Sequence, residues 1–136
     1  MPQCGEILYY PNYTFADGRK ADKLFVILNI GDINSPCLVL KTTSQSVRYK
    51  GVKQGCNPKE KVFFVPAAWG NCFEFNTYIQ LPEIIEISMT KLSKGASTKE
   101  IRVVNSLPSN CFAQLKNCLK YFRDDIIQQH WKLIFG

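Results

Sequence analysis

The most constraining feature of this sequence is a series of short apolar segments separated by turn residues. Strand-length runs recur along most of the chain and end near Gly, Pro or Asn; they cover residues 6–10, 23–29, 37–43, 62–65, 71–81, 84–88 and 101–104. Such spacing is typical of a small antiparallel β-protein, a barrel or a sandwich, and differs from an alternating α/β pattern.

Two consecutive runs predict a hairpin over residues 24–43, because turn residues 31–36 separate them. Residues 12–22 before it read as a long polar connection, with Asp17-Gly18 as its turn. Residues 44–61 after it read as an irregular, exposed segment. Six basic residues and one acidic residue lie between positions 41 and 61, so most of the net charge of +6 falls there. Such a segment attracts phosphate-bearing partners, or is simply a solvated loop.

The C-terminal part changes from a strand period to a helical one. Phe112, Leu115, Leu119, Phe122 and Ile126 form one helical stripe. The helix is predicted to begin at about residue 109, with Ser109 as its N-cap. Asp124-Asp125 either interrupts the helix or restarts it, and the apolar terminus 130–135 is expected to dock on the sheet or on a second subunit. With 136 residues, the chain is predicted to be a single domain, 1–136.

Several classes of protein are disfavoured by what the sequence lacks. No apolar run has the ~20 residues that a membrane span needs. The N-terminal residues lack a signal-peptide pattern, so we expect a cytoplasmic protein whose six cysteines are reduced thiols. Cys111 and Cys118, seven residues apart, are expected to pack in the core. His130 is the only histidine, and no C-x-x-C pair or Gly-rich phosphate loop is present, so we predict no metal and no cofactor.

A candidate site lies where the hairpin strands begin and end. Lys23 opens the second strand, and Thr42, Thr43 and Ser44 close the third. One strand of a hairpin enters where the other leaves, so these residues should share one end of it. A cation and hydroxyls beside the basic segment form a candidate anion site; the alternative is ordinary strand-end capping by Thr and Ser.

The order of these elements resembles the MazF/PemK family of toxin endoribonucleases. The likeness rests on Gly5-Glu6-Ile7-Leu8, on the loop with Asp17-Gly18-Arg19-Lys20, and on the buried strand 23–29. It continues through Lys41-Thr42-Thr43-Ser44-Gln45-Ser46, the strands at 77–81 and 84–87, and the helix from Ser109.

The resemblance implies a mainly β fold, a small antiparallel SH3-like barrel with a C-terminal helix, that forms a homodimer and cleaves single-stranded RNA without metal. The family's catalytic hydroxyl would be Thr43, with Thr42 and Ser44 as near candidates. Its arginine position holds Lys23, which keeps the charge but loses the two-pronged grip on phosphate, and Arg19 would compensate. RNA contacts are expected from the nearby polar and basic side chains, Thr42, Ser44, Arg48, Lys50 and Lys53.

The same resemblance leaves other functions open. A non-catalytic relative would bind RNA or a protein target such as a topoisomerase, and the surface of an antitoxin-paired or phage-defence protein would normally be masked. Candidate base-stacking aromatics are Tyr13, Phe15, Tyr49 and Trp69. Asp17 and Asp22 are the carboxylates nearest in sequence for proton transfer.

Overall fold

One antiparallel sheet of seven strands organises the chain in the computed structural model, which describes residues 2–98 and 100–136. The strands lie in the order β4-β5-β6-β3-β2-β1-β7. Their bounds are β1 Glu6–Thr14, β2 Lys20–Asn29, β3 Cys37–Thr43, β4 Gly55–Asn57, β5 Val62–Val65, β6 Thr77–Ile87 and β7 Arg102–Ser106.

The sheet is open in the part of the chain described. β4 and β7 stand at opposite edges, and no strand pairing joins them. The predicted mainly β fold with a C-terminal helix is therefore confirmed, and the pairing does not close the sheet into a barrel. The helices are α1 Met89–Ser97, α2 Ser109–Leu119 and α3 Gln128–Phe135, with 3₁₀ turns at Ser46–Tyr49 and Lys120–Asp125. None of these helices is long and apolar enough to cross a membrane.

Both faces of the sheet centre are covered, which explains why its strands are apolar at successive positions. Side chains such as Val26 and Leu40 point to one face and pack with α2 and α3. Their neighbours Phe25 and Val39 point to the other face and pack with Leu92 of α1. Alternating side chains of a strand point to opposite faces, so a continuous apolar run indicates burial on both.

The predicted hairpin is confirmed, and its first strand is longer than expected. β2 and β3 pair antiparallel, with Phe25 opposite Lys41. β2 begins at Lys20, and β1 continues through Pro11 to Thr14. A register shift between Tyr10 and Tyr13 lets β1 pass this proline, because a bulge tolerates a residue without an N–H donor. The expected polar connection 12–22 therefore shrinks to a short turn.

Three further parts of the chain differ from the prediction. The strands predicted at 71–81 and 84–88 are one strand, β6, which starts at Thr77 and runs through Pro82. A three-residue strand, β4, lies within the segment expected to be irregular. The polar stretch 91–98 belongs to α1 or its C-cap, with Ser88 accepting a hydrogen bond from the Lys91 N–H at 3.2 Å; residue 99 lies outside the described residues.

The C-terminal stripe packs as its spacing predicts, on a helix that breaks. Leu115, Leu119, Phe122 and Ile126 are buried. α2 begins at Ser109, but Pro108 is the N-cap and no side chain caps the helix, so the predicted Ser109 cap is wrong. Phe122 leaves the helical region (φ −108°), so Asp124-Asp125 falls in an interruption. The apolar terminus docks on the sheet of its own chain as α3.

The expectation that all six cysteines are reduced is wrong. Cys56 of β4 and Cys118 of α2 form a disulfide that links residues 62 positions apart. Local spacing carries no signal for such a bond, because the two cysteines meet only when β4 and α2 come together in the fold. Cys111 packs in the core as predicted, and burial raises the pKa of its thiol to about 12.

We predict that the double substitution Cys56→Ser/Cys118→Ser lowers the free energy of unfolding by about 4 kcal/mol, because a cross-link closing a long loop restricts the unfolded chain. The measurement is urea unfolding of both proteins, repeated with reductant. Cys4→Ser, at an exposed free cysteine, is the control and should have little effect. Six alkylatable thiols in the unreduced wild type would contradict the disulfide.

Candidate functional site

Lys23 and Thr43 lie at the open end of the β2–β3 hairpin, each two residues beyond its last pair, Phe25 with Lys41. Beyond that pair, the Thr42 hydroxyl bonds to the Leu24 carbonyl, which keeps the two strand ends together. Both side chains are half-buried, and they line the same two surface depressions.

The three predicted hydroxyls have different environments. Thr42 is buried, and its hydroxyl donates to the Leu24 carbonyl at 2.7 Å, so it stabilises the hairpin end. The Thr43 hydroxyl oxygen accepts from the Gln45 N–H at 3.2 Å, which leaves its own proton available for donation. Ser44 is exposed. Thr43 is thus the best placed of the three for an anion bound near Lys23.

The larger depression, which we call the basic groove, has a volume of about 470 Å³. Five cationic side chains and one carboxylate line it; its full lining is Phe15, Arg19, Lys20, Ala21, Lys23, Lys41, Thr43, Gln45, Arg48, Gln80 and Glu83. Such an excess of one sign of charge in a cleft attracts a polyanion and concentrates it there.

Phe15 brings two of these ammonium groups together. Lys23 Nζ lies 5.6 Å and Lys41 Nζ 5.8 Å from the centroid of its ring, within the range of cation–π attraction. Lys41 also forms an ion pair with Glu83 at 2.9 Å. In the described residues, no carboxylate lies within ion-pair distance of Lys23, so its charge faces the groove uncompensated.

Burial lowers the pKa of Lys23, and the positive charge of Lys41 lowers it further. Both effects disfavour the charged ammonium in the empty groove. A phosphate bound beside it would favour the ammonium again, since an opposite charge nearby stabilises the charged form. The site is therefore electrostatically prepared for an anion.

Arg19, which was expected to compensate for lysine at position 23, is only partly available to bind an anion. Arg19 lines the basic groove, but its Nε donates to Asp17 at 2.7 Å. Asp17 also accepts from the Arg19 N–H, and these bonds lower the pKa of its carboxyl. Asp17 is thus a partner of Arg19 across the turn and does not itself line the groove.

The predicted basic contacts separate into two groups. Arg48, on the 3₁₀ turn Ser46–Tyr49, lines the basic groove, whereas Lys50 and Lys53 line neither depression. The turn is anchored by Tyr49, which stacks on Tyr78 with ring centroids 5.1 Å apart and accepts a hydrogen bond from Gln80 at 3.1 Å.

A second depression of about 340 Å³ continues from the first; we call it the Phe75 lobe. It shares Lys23, Thr43 and Gln45 with the basic groove. The rest of its lining is Asp22, Leu24, Thr42, Ser44, Phe73, Glu74, Phe75 and Thr77. A chain-like ligand could therefore contact both depressions while passing over Lys23 and Thr43.

Of the four aromatic candidates for base stacking, only Phe15 lines the basic groove. Tyr13 packs edge-on against Tyr10 and Phe25. Trp69 stacks on Phe63 in the core. The aromatic side chain that the sequence interpretation missed is Phe75, which was assigned to a strand but lies before β6 with 63% of its surface exposed.

In the fold, Asp22 and His130 each contact other residues of the protein, and a different carboxylate lines the basic groove. Asp22 accepts from the Tyr9 hydroxyl at 3.1 Å and from the Asn12 N–H at 2.9 Å. His130 contacts Glu86 at 2.5 Å and lines neither depression. The carboxylate that does line the basic groove is Glu83, which no local pattern connects with Lys23.

No cluster of three or more His, Cys, Asp or Glu side chains in the described residues has the arrangement of a metal site. The sequence matches no known family model and no curated protein.

We predict that Lys23→Met raises the stability of the protein at pH 7, because it removes a charge that burial and Lys41 disfavour. The protonated Lys23 of the wild type opposes folding below its lowered pKa, and this cost disappears as pH rises towards the ordinary value of 10.5. Thermal unfolding from pH 7 to 10.5 should thus show a difference that shrinks with pH. Lys20→Met, at an exposed groove position, is the matched control; a wild type more stable than Lys23→Met at pH 7 would contradict this.

Proposed function

We propose that this protein is a toxin-type endoribonuclease that cleaves single-stranded RNA at the basic groove without a metal ion. The observation that carries the proposal is that Lys23 and Thr43 line the same two depressions at the open end of the β2–β3 hairpin, one of them a groove lined by five cations. A phosphodiester there would meet an ammonium and a hydroxyl from two sides. The order of the strands and the resemblance to the MazF/PemK family support the same function.

The reaction requires little covalent chemistry from the protein. The ribose 2′-hydroxyl attacks the adjacent phosphorus, the P–O5′ bond breaks, and a 2′,3′-cyclic phosphate forms. Negative charge grows on the phosphoryl oxygens, where the Lys23 ammonium and the Thr43 hydroxyl can donate hydrogen bonds. Because the cations of the groove supply positive charge, the proposed mechanism uses no metal.

We assign proton transfer to two side chains of the basic groove, one ammonium and one carboxylate. The Lys23 ammonium, which lines both depressions, is our candidate proton donor to the departing 5′-oxygen. Glu83 is the carboxylate in the lining of the basic groove, and it is our candidate acceptor for the 2′-hydroxyl proton. Its ion pair with Lys41 holds it at the groove wall.

The proposal extends to the finer features that the resemblance implies. These are an SH3-like barrel, a homodimer, a cytoplasmic location and an antitoxin that covers the basic groove. The succession of hairpin, later strand pair and C-terminal helix supports the first of them.

We predict that the protein cleaves a long unstructured RNA in the presence of chelator and leaves 2′,3′-cyclic phosphate or 3′-phosphate ends. Lys23→Ala and Thr43→Val should each lower the rate by ~10²-fold, similar to the loss of one oxyanion-hole donor. Rates are measured from fragments on denaturing gels, with end groups identified by mass spectrometry. Lys53→Ala, at a basic residue that lines neither depression, should cleave like the wild type. Absence of such fragments, or equal rates for Lys23→Ala and the wild type, would overturn the enzyme proposal.

A second candidate is a non-catalytic relative that binds RNA, or a protein target such as a topoisomerase, through the same groove. Lysine at position 23 favours it, because an ammonium cannot fix a phosphate by two parallel bonds as a guanidinium does. Arg19 forms an ion pair with Asp17, so it compensates less well for the missing guanidinium at position 23.

Salt dependence separates these functions from one without nucleic acid. We predict that Arg48→Ala reduces the slope of log K against log salt by about 0.7 per lost contact with single-stranded RNA, since Arg48 lines the basic groove. Lys50→Ala should change the slope little. The slope is measured by fluorescence anisotropy with a labelled oligonucleotide. RNA binding without cleavage selects the binding protein, whereas absent or salt-insensitive binding excludes RNA and leaves a protein target.

A further inference from the structure

Phe75 is a large apolar side chain held at the surface by a fixed backbone. Its ring is 63% exposed, while Phe73 and Thr77 on either side are each 5% exposed. The Thr77 hydroxyl donates to the Phe75 carbonyl at 2.8 Å, and the Asn76 side-chain oxygen accepts from the Ala67 N–H at 2.8 Å. The local backbone is thus anchored on the side of β6, and the ring stands in the lobe before any ligand arrives.

The Phe75 lobe differs from the basic groove in its charge. Its lining holds one lysine, Lys23, and two carboxylates, Asp22 and Glu74. The Asp22 oxygens already accept bonds from Tyr9 and Asn12. Glu74 is exposed, and no hydrogen bond or ion pair of its side chain occurs in the described residues. An aromatic face beside a carboxylate suits a nucleobase better than it suits a phosphate.

The two depressions meet at the residues proposed to hold the reacting phosphate. Lys23, Thr43 and Gln45 line both of them. An RNA strand with one phosphate between Lys23 and Thr43 can therefore place its neighbouring phosphates along the basic groove and one base in the Phe75 lobe.

We propose that the Phe75 lobe is a nucleobase subsite, in which Phe75 stacks on one unpaired base and Glu74 accepts a hydrogen bond from its exocyclic amino group. This inference rests on the proposed RNA function and names the substrate preference of that site. Adenine, cytosine and guanine carry an amino donor, whereas the N3–H of uracil is flanked by two carbonyl oxygens that a carboxylate repels. The subsite therefore disfavours uracil.

The test uses short single-stranded 2′-O-methyl oligonucleotides, which lack the attacking hydroxyl and remain intact. They differ at one position, which carries A, C, G, U or no base, and binding is measured by fluorescence anisotropy. Phe75→Ala should weaken binding of the A, C and G oligonucleotides by ~10-fold, in the range of base–aromatic stacking, and should not weaken binding of the abasic one. Phe75→Tyr should restore binding. Glu74→Gln should reduce the preference for A, C and G over U.

Tyr121→Ala is the matched control, because Tyr121 is an aromatic at least as exposed as Phe75 (73%) that lines neither depression. It should bind like the wild type. If the wild type binds no oligonucleotide, both the RNA function and the subsite fail. If RNA binds and Lys23→Ala weakens it, but Phe75→Ala has no effect or weakens the abasic oligonucleotide equally, the subsite alone is overturned.

Discussion

The pairing of β2 with β3, buried on both faces, is the constraint on which the rest of the structure depends. Phe25 and Val26 are neighbours in sequence and both fully buried, one in each of the two hydrophobic clusters. A slip of one residue would exchange these two faces, so the register is strongly specified. That register ends with the pair Phe25–Lys41, and the Thr42 bond to the Leu24 carbonyl holds the strand ends together where Lys23 and Thr43 line the same depressions.

The charges at the open end of the hairpin are less favourable in the empty protein than they would be with an anionic ligand bound. Lys23 is half-buried and lies near the ring of Phe15 with Lys41, and both burial and the second charge lower its pKa. Of these two lysines, Lys41 alone has a carboxylate partner within the described residues, Glu83. Sites that retain an unfavourable charge in the free state are typical of functional surfaces, since a ligand can supply the missing counter-charge. In the proposed reaction, the same groups would supply the proton donor and the positive charge that stabilises the phosphate.

Much of the fold followed from local pattern, and the errors have identifiable causes. The hairpin and the helix beginning at Ser109 were predicted because continuous apolar runs and a 3.6-residue stripe are strong signals. α1 was missed because its polar residues hide the buried positions Leu92 and Gly95. β6 was divided in two because Pro82 usually ends a strand, whereas here a register shift in the pairing with β3 accommodates it. Of the candidate site residues, Lys23, Thr43, Arg19 and Arg48 line the basic groove, but Lys50 and Lys53 do not.

The sequence by itself determined most of the strands, the central hairpin and the position of a lysine and a threonine at its open end. These features depend on side-chain periodicity and on contacts between near neighbours in the chain. Only the tertiary structure decided that β6 lies beside β3, which adds Gln80 and Glu83 to the basic groove. It also decided that Phe75 faces solvent and that Cys56 meets Cys118. Such contacts join distant segments, and they form because the whole sheet and its helices must bury their apolar faces together.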